Sequence, residues 1–219
     1  MQMMSKINDI SSRLGHVVVI DDDPSVRSSL ATLLERSGYD VVLHASADAF
    51  LANPIVPSPA VMLIDMRMPG TTGVALQKQL HTLAKHVPVV FASGDSRPEE
   101  IIAAMKQGAV DFLLKPFTAQ ALLDVVARAM GLSEKAAVEA VKLEQVSDRL
   151  KRLTPRELEV CHWMVRGYSN QQISNMDGAA PATIKLHRAR VMDKMAAQTL
   201  PDLIDMLHEI DLPKPVSQV

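Results

Sequence analysis

The stretch HVVVIDDDPSVRSSLATLLERSGYDVVLH, residues 16–44, decides the fold. His16–Ile20 is a short β-branched apolar run, the signature of a strand. After Asp21-Asp22-Asp23, the apolar residues Val26, Leu30, Leu33 and Leu34 recur at a period of 3.6, and Gly38 stands where a helix would stop. Val41–His44 is a second short run. A strand, a helix and a strand in succession form a crossover unit, and the same alternation continues down the chain. Val61–Ile64, Val89–Ala92 and Asp111–Leu114 read as further strands, with helices at about 46–52, 73–84, 98–107 and 118–130. The pattern predicts an α/β fold: a doubly wound, five-stranded parallel sheet of order 2-1-3-4-5.

Past residue 130 the alternation stops. Gly131–Leu153 is an Ala/Glu/Lys/Leu stretch with Leu143, Val146, Leu150 and Leu153 at 3-4-3 spacing, a linking helix whose stripe either pairs with a second copy or packs on the chain's own domains. Thr154-Pro155-Arg156-Glu157 then supplies an N-cap, a proline at the first helical position and a glutamate at the capping-box position. Four helices fit at about 155–166, 170–176, 181–195 and 200–209. The 219 residues exceed one ordinary domain and divide into an α/β domain over 14–131, a helical linker over 132–149 and an all-α helix-turn-helix domain over 150–213.

Composition narrows the class. With 47% apolar, 22% charged and only 3% aromatic residues, the chain is globular and fills its interior with Leu, Val, Ile, Ala and Met. Its one cysteine, Cys161, lies among Leu158, Met164 and Val165, which reads as a buried thiol and excludes a disulfide framework or a cysteine metal site. The N-terminal MQMMSKINDISSRLGH lacks a continuous apolar core before a cleavage site, and no run of about 18 apolar residues occurs, so the expectation is a cytoplasmic protein without a membrane partner. The net charge of -2 conceals an asymmetry: 13 Lys+Arg stand against 17 Asp+Glu in residues 1–148, and 10 against 8 in residues 149–219. Lys185, Arg188, Arg190 and Lys194 cluster in the second part and point to an anionic partner for it.

In doubly wound sheets the functional crevice lies beyond the carboxyl ends of the strands. Here strand one ends in Asp21-Asp22-Asp23, strand three in Asp65 and strand four in Ser93, while strand five runs into Lys115-Pro116. One aspartate at a strand end is usually a turn or a helix cap; four chemically loaded ends are a site. Carboxylates gathered in one pocket repel each other unless a cation joins them, and hard oxygen ligands select Mg2+ or Mn2+. Phosphoryl transfer asks for little beyond a positioned nucleophile and positive charge on the oxygens. Asp65 on the middle strand suits the acceptor, Asp22 and Asp65 the metal, Ser93 a hydrogen bond to one phosphoryl oxygen and Lys115 the neutralisation of another.

The segments VVVIDDDPSVR, LIDMRMPGTTG, VVFASGD and FLLKPF, taken in order, resemble the receiver domain of two-component response regulators, a flavodoxin-like fold. The resemblance implies that Asp65 is the phosphoacceptor, that Asp21 and Asp22 form the acidic pair holding Mg2+, and that the Arg67 main-chain carbonyl is a further ligand. It makes Ser93 the switch hydroxyl, Lys115 the conserved-type lysine, Phe112 the switch aromatic and Lys115–Pro116 a cis peptide. It also implies a histidine kinase or a small acyl phosphate as phosphoryl donor, a homodimer on phosphorylation, and self-directed phosphorylation and dephosphorylation rather than turnover as an enzyme. A competing enzymatic reading exists. Asp21-x-Asp23, Ser93 and Lys115 also follow the first three motifs of haloacid-dehalogenase-type phosphohydrolases, with Asp21 as nucleophile; that reading leaves Asp65 unexplained and needs an acidic strand end beyond Lys115, where only Asp124 occurs, inside a helix.

LTPRELEVCHWMVRGYSNQQISNMDGAAPATIKLHRARVMDKM resembles the LuxR-type helix-turn-helix, which with the receiver makes a regulator of the NarL/FixJ class. By that resemblance 170–176 is a scaffold helix, Gly178 supplies the turn, and 181–195 enters the major groove of promoter DNA. Lys185, Leu186, Arg188 and Ala189 are then candidates for base contacts, with Thr183, His187 and Arg190 toward phosphates. Ser174, Asp177 and Ala179 stand where the motif carries Ala and two apolar residues, and Gln171 where it often carries Lys. Asp177 is expected to weaken the turn as a buried carboxylate without a partner, or else to rotate into solvent. A degenerate helix-turn-helix that acts through a protein partner is the alternative to DNA binding.

Overall fold

The computed structural model describes residues 13–83, 87–94, 96–208, 210 and 212. Residues 1–12, Ala84 at the end of the 73–84 helix, Asp95 of the ASGD segment, Glu209 and Pro213 at the expected end of the second domain lie outside the described residues. Strands β1 (His16–Ile20), β2 (Asp40–His44), β3 (Ala60–Ile64), β4 (Val89–Ser93) and β5 (Asp111–Leu114) form one parallel sheet in the order β2-β1-β3-β4-β5. Ile20 pairs with both His44 and Ile64, and Ser93 with Leu114, so the carboxyl ends of the strands fall on one edge.

The period-2 alternation of each central strand divides its side chains between two cores. Val17, Val19, Leu63 and Val90 pack with Leu122 and Val126 on one face; Val18, Ile20, Met62, Ile64 and Phe91 pack with Phe50, Leu76 and Ala104 on the other. Burial on both faces is why these strands read as unbroken apolar runs. The covering helices are α1 (Pro24–Arg36), α2 (Ala47–Leu51), α3 (Gly73–Leu83) and α4 (Pro98–Lys106), followed by α5 (Ala119–Lys151). The sequence suggests a helix ending at 130 and a separate linker; instead a single helix of 33 residues runs through Gly131. A glycine inside a helix costs ~1 kcal/mol but ends it only by turning left-handed, and Gly131 does not.

The chain divides into two compact units, residues 1–138 and 139–219. In the second, α6 (Pro155–Val165), α7 (Asn170–Asp177), α8 (Pro181–Met195) and α9 (Leu200–Leu207) enclose Val160, Cys161, Met164, Val191, Met195 and Leu203. Val146 and Leu150 of the 3-4-3 stripe are buried in this same core. Cys161 is fully buried, and burial pushes its thiol up to about 11, so it is a packing residue and no nucleophile at neutral pH. Among the described residues no helix is long and apolar enough to cross a membrane.

Candidate functional site

At the carboxyl edge of the sheet, the loops that follow β1 and β3 bring Asp21, Asp22 and Asp65 together: one carboxylate oxygen of each lies within 4.8 Å of the others. The adjacency of β1 and β3 causes this, with Asp65 N donating to the Ile20 carbonyl at 2.8 Å. Asp21 is 2% exposed, while Asp22 faces solvent. Lys115, just past β5, reaches both carboxylates, with Nζ 2.6 Å from Asp21 Oδ2 and 3.1 Å from Asp65 Oδ2. Burial works to lower the Lys115 ammonium, but the hydrogen bonds and charges of Asp21 and Asp65 outweigh it and hold the group above the ordinary lysine range. Three carboxylates against one ammonium leave an excess of negative charge in an all-oxygen donor set, the environment that a hard divalent cation fits.

The third aspartate of the run has a different task. Asp23 caps α1, its Oδ1 accepting from Ser25 N at 2.7 Å and Val26 N at 3.3 Å, and these bonds with the Ser25 hydroxyl lower its carboxyl. Ser93, 2% exposed, ends β4 and its carbonyl accepts from Lys115 N at 3.0 Å. Phe112 is half-buried against the second core, and the Lys115–Pro116 peptide is cis. Arg67 N donates to Asp65 Oδ1 at 3.3 Å, and its side chain meets Glu100 at the same separation. Gly73, which the sequence reading passed over, belongs to the site: a Cβ there would stand 2.3 Å from the Asp65 carbonyl oxygen, so only glycine lets α3 start against the acidic strand end. The second glycine of PGTTG was the available signal. Asp124 lies exposed on α5 and accepts from Gln120 at 2.7 Å, far from serving as the acidic strand end that the phosphohydrolase reading requires.

In the second unit Gly178, at φ 77°, closes α7 and opens the turn into α8. Ile184, Val191 and Met195 face inward. The opposite face carries the exposed residues Thr183, Lys185, Leu186, Ala189 and Arg190 in the first three turns. His187 and Arg188 are half-buried. Arg188 Nη1 donates to the Tyr168 carbonyl at 2.9 Å, and burial lowers its guanidinium, so it supports the helix from behind. Lys194 is likewise engaged internally, 2.5 Å from the buried Glu157 of the α6 capping box.

Asp177 departs from both expectations. Its side chain is 9% exposed and forms an ion pair with Arg156, whose other terminal nitrogen is 2.9 Å from Glu159 and whose guanidinium lies 5.7 Å over the Trp163 ring. It is neither an unpartnered buried charge nor a solvated loop residue. Ser174, another departure, donates its hydroxyl to the Ala179 carbonyl at 2.6 Å. A polar turn has replaced an apolar one.

Residues 17–127 match the family described as response regulator receiver domain, and residues 151–207 that of bacterial regulatory proteins, luxR family. The chain is 39% identical over 190 residues to the transcriptional regulatory protein FixJ of Azorhizobium caulinodans, covering 87% of this chain and 90% of that one. It is 34% identical over 196 residues to the tetrathionate response regulatory protein TtrR of Salmonella typhimurium, covering 90% and 93%. The solved response regulator StyR superposes with a TM-score of 0.76 at 34% identity, over 89% of this chain and 98% of that one.

Proposed function

The chain belongs to the response regulators that join a receiver domain to a LuxR-type DNA-binding domain, and from that premise we propose that Asp65 accepts a phosphoryl group from a histidine kinase and that the phosphorylated protein dimerises and binds promoter DNA. One observation carries the reading: a single ammonium, Lys115, is shared by Asp21 and Asp65 while Asp22 stands beside them. Asp21, Asp22 and Asp65, with the Arg67 carbonyl, would hold Mg2+. When bound, the cation supplies charge to the phosphoryl oxygens during transfer. The chain's own residues do the rest. Asp65 is the less buried of the two carboxylates on Lys115 and presents the nucleophile; Asp21 stays anchored through the Asp23 N–H at 2.9 Å. Lys115 and the Ser93 hydroxyl then turn to the new phosphoryl oxygens, which favours the active arrangement by differential contact. Phe112 then turns inward. Thr183, Lys185, Leu186, Ala189 and Arg190 meet the duplex, with His187 and Arg188 nearer the helix's inner side.

Acetyl phosphate or beryllium fluoride with Mg2+ tests the receiver half. Intact-mass spectrometry is expected to show one phosphoryl group from acetyl phosphate, released by hydroxylamine, absent without Mg2+ and absent in Asp65→Asn; full labelling of Asp65→Asn overturns the assignment.

A further inference from the structure

The α7–α8 turn is short of apolar anchors. Ala179 and Ala180 are small, and of the first turn of α8 only Ile184 is fully buried. The end of α7 is tied to α6 by charge, while α8 shares an apolar core with α6 through Val160, Met164, Val191 and Met195. Arg156 gives one terminal nitrogen to Asp177 and the other to Glu159, and its flat face rests over Trp163, so three contacts of different direction define the guanidinium plane. An apolar pair at this place would tolerate rotation of α7; a forked ion pair with one carboxylate at 9% and the other at 12% side-chain exposure does not. The Ser174 hydroxyl on the Ala179 carbonyl closes the turn itself, three residues before Ala182 and Thr183 begin the exposed face of α8.

We propose that the Arg156–Asp177 pair sets the angle at which α8 is presented, making Arg156 a positioning residue for DNA sequence readout although it lies on α6. The inference rests on α8 as the groove-entering helix. Base-edge recognition depends on bidentate geometry, whereas phosphate attraction is nearly indifferent to small rotations. Loss of the pair therefore reduces discrimination between duplexes far more than attraction to DNA in general.

The test uses the full chain, a duplex selected by the wild-type protein from a randomised pool, and a scrambled duplex of the same composition. Asp177→Asn, which keeps shape and removes charge, is expected to lower affinity for the selected duplex about tenfold, the size of roughly one mismatched base pair, and to leave the scrambled duplex nearly unchanged. Arg156→Lys retains the positive charge and so the fold, but loses the fork; it is expected to lose discrimination in the same direction. Trp163, the only tryptophan, reports whether each variant is folded at the assay temperature. Folded variants with wild-type discrimination overturn the proposal. So does a narrowed preference caused by tighter binding to the scrambled duplex, which would identify Arg156 as a cation merely released from Asp177. Should Asp177→Asn not fold, Arg156→Lys decides alone. Failure of the wild-type chain to select any duplex counts against the DNA-binding reading, and this proposal falls with it.

Discussion

Lys115 is contested by two carboxylates, and the same oxygens are the ones offered to a divalent cation. Ammonium and metal therefore compete at Asp21 and Asp65. Lys115→Ala is expected to tighten Mg2+ binding, read as a lower Mg2+ concentration for the half-maximal rise in melting temperature, while some acceptor chemistry at Asp65 persists and phosphorylation no longer drives dimerisation. Weaker Mg2+ binding in the variant would contradict this. Gly73→Ala is the steric counterpart: a methyl 2.3 Å from the Asp65 carbonyl oxygen must displace α3 or the strand end, at about 1–3 kcal/mol, and slow labelling by acetyl phosphate. Wild-type stability and labelling would show that the loop gives way freely. The carboxylates, Ser93 and Lys115 were legible because a parallel sheet displays its strand ends in sequence order. Gly73 was not, since a close approach between backbones leaves no mark on composition. Nor was the partner of Asp177: Arg156 lies 21 residues upstream, and only the packing of both α6 and α7 against α8 brings them together.

The elements followed from the residues with small errors at their ends. Strands buried on both faces announce themselves as apolar runs, and Thr154, Ser169 and Thr199 each begin a helix with a capping box. The exception is α5, where Gly131 looked like a boundary because helix propensity says nothing about which residues beyond it will be packed; Val146 and Leu150 are, and the helix continues to them. Two predictions belong at this scale. Ala196 ends α8 at φ 54°, a conformation that costs a residue with a Cβ ~1–2 kcal/mol, of which glycine's greater unfolded-state freedom returns ~0.5–1 kcal/mol. Ala196→Gly is expected to raise the Trp163-monitored melting temperature by roughly 2–6 °C; a decrease would mean that Ala196 is held by contacts worth more than the strain. Glu157, in turn, joins α6 to α8 through Lys194. Burial raises its carboxyl, but the Lys194 ammonium and the Thr154 N–H and hydroxyl prevail and hold it below the ordinary glutamate value of 4.5. A depressed folded value means the contribution is complete above pH 4.5 and is lost as pH falls through the folded value. Glu157→Gln should cost about 1–3 kcal/mol at neutral pH and flatten the acid limb of the Trp163 melting profile; an acid limb of unchanged steepness would place the responsible carboxylate elsewhere.

For the whole molecule, charge constrains how phosphorylation can act on DNA binding. The chain carries a net charge of -2, and its basic excess is confined to residues 149–219, with 10 Lys+Arg against 8 Asp+Glu. Several of those cations are already engaged: Arg156 with Asp177 and Glu159, Lys194 with Glu157, Lys151 with Asp148 and Arg188 with a carbonyl. One copy therefore offers few charges to a duplex, and each phosphate it does neutralise contributes a slope of about -0.9 in log affinity against log salt. Phosphorylation only adds negative charge, so it cannot strengthen binding by electrostatics. Joining two copies is a route that charge permits, since it doubles the cations and the exposed faces of α8 brought to one site. The expectation follows that acetyl phosphate raises affinity only at protein concentrations where sedimentation shows a dimer, and that the salt slope there approaches twice that of the unphosphorylated chain. An equal gain at concentrations where the phosphorylated protein sediments as a monomer, with an unchanged slope, would show instead that phosphorylation alters the single DNA-binding unit directly.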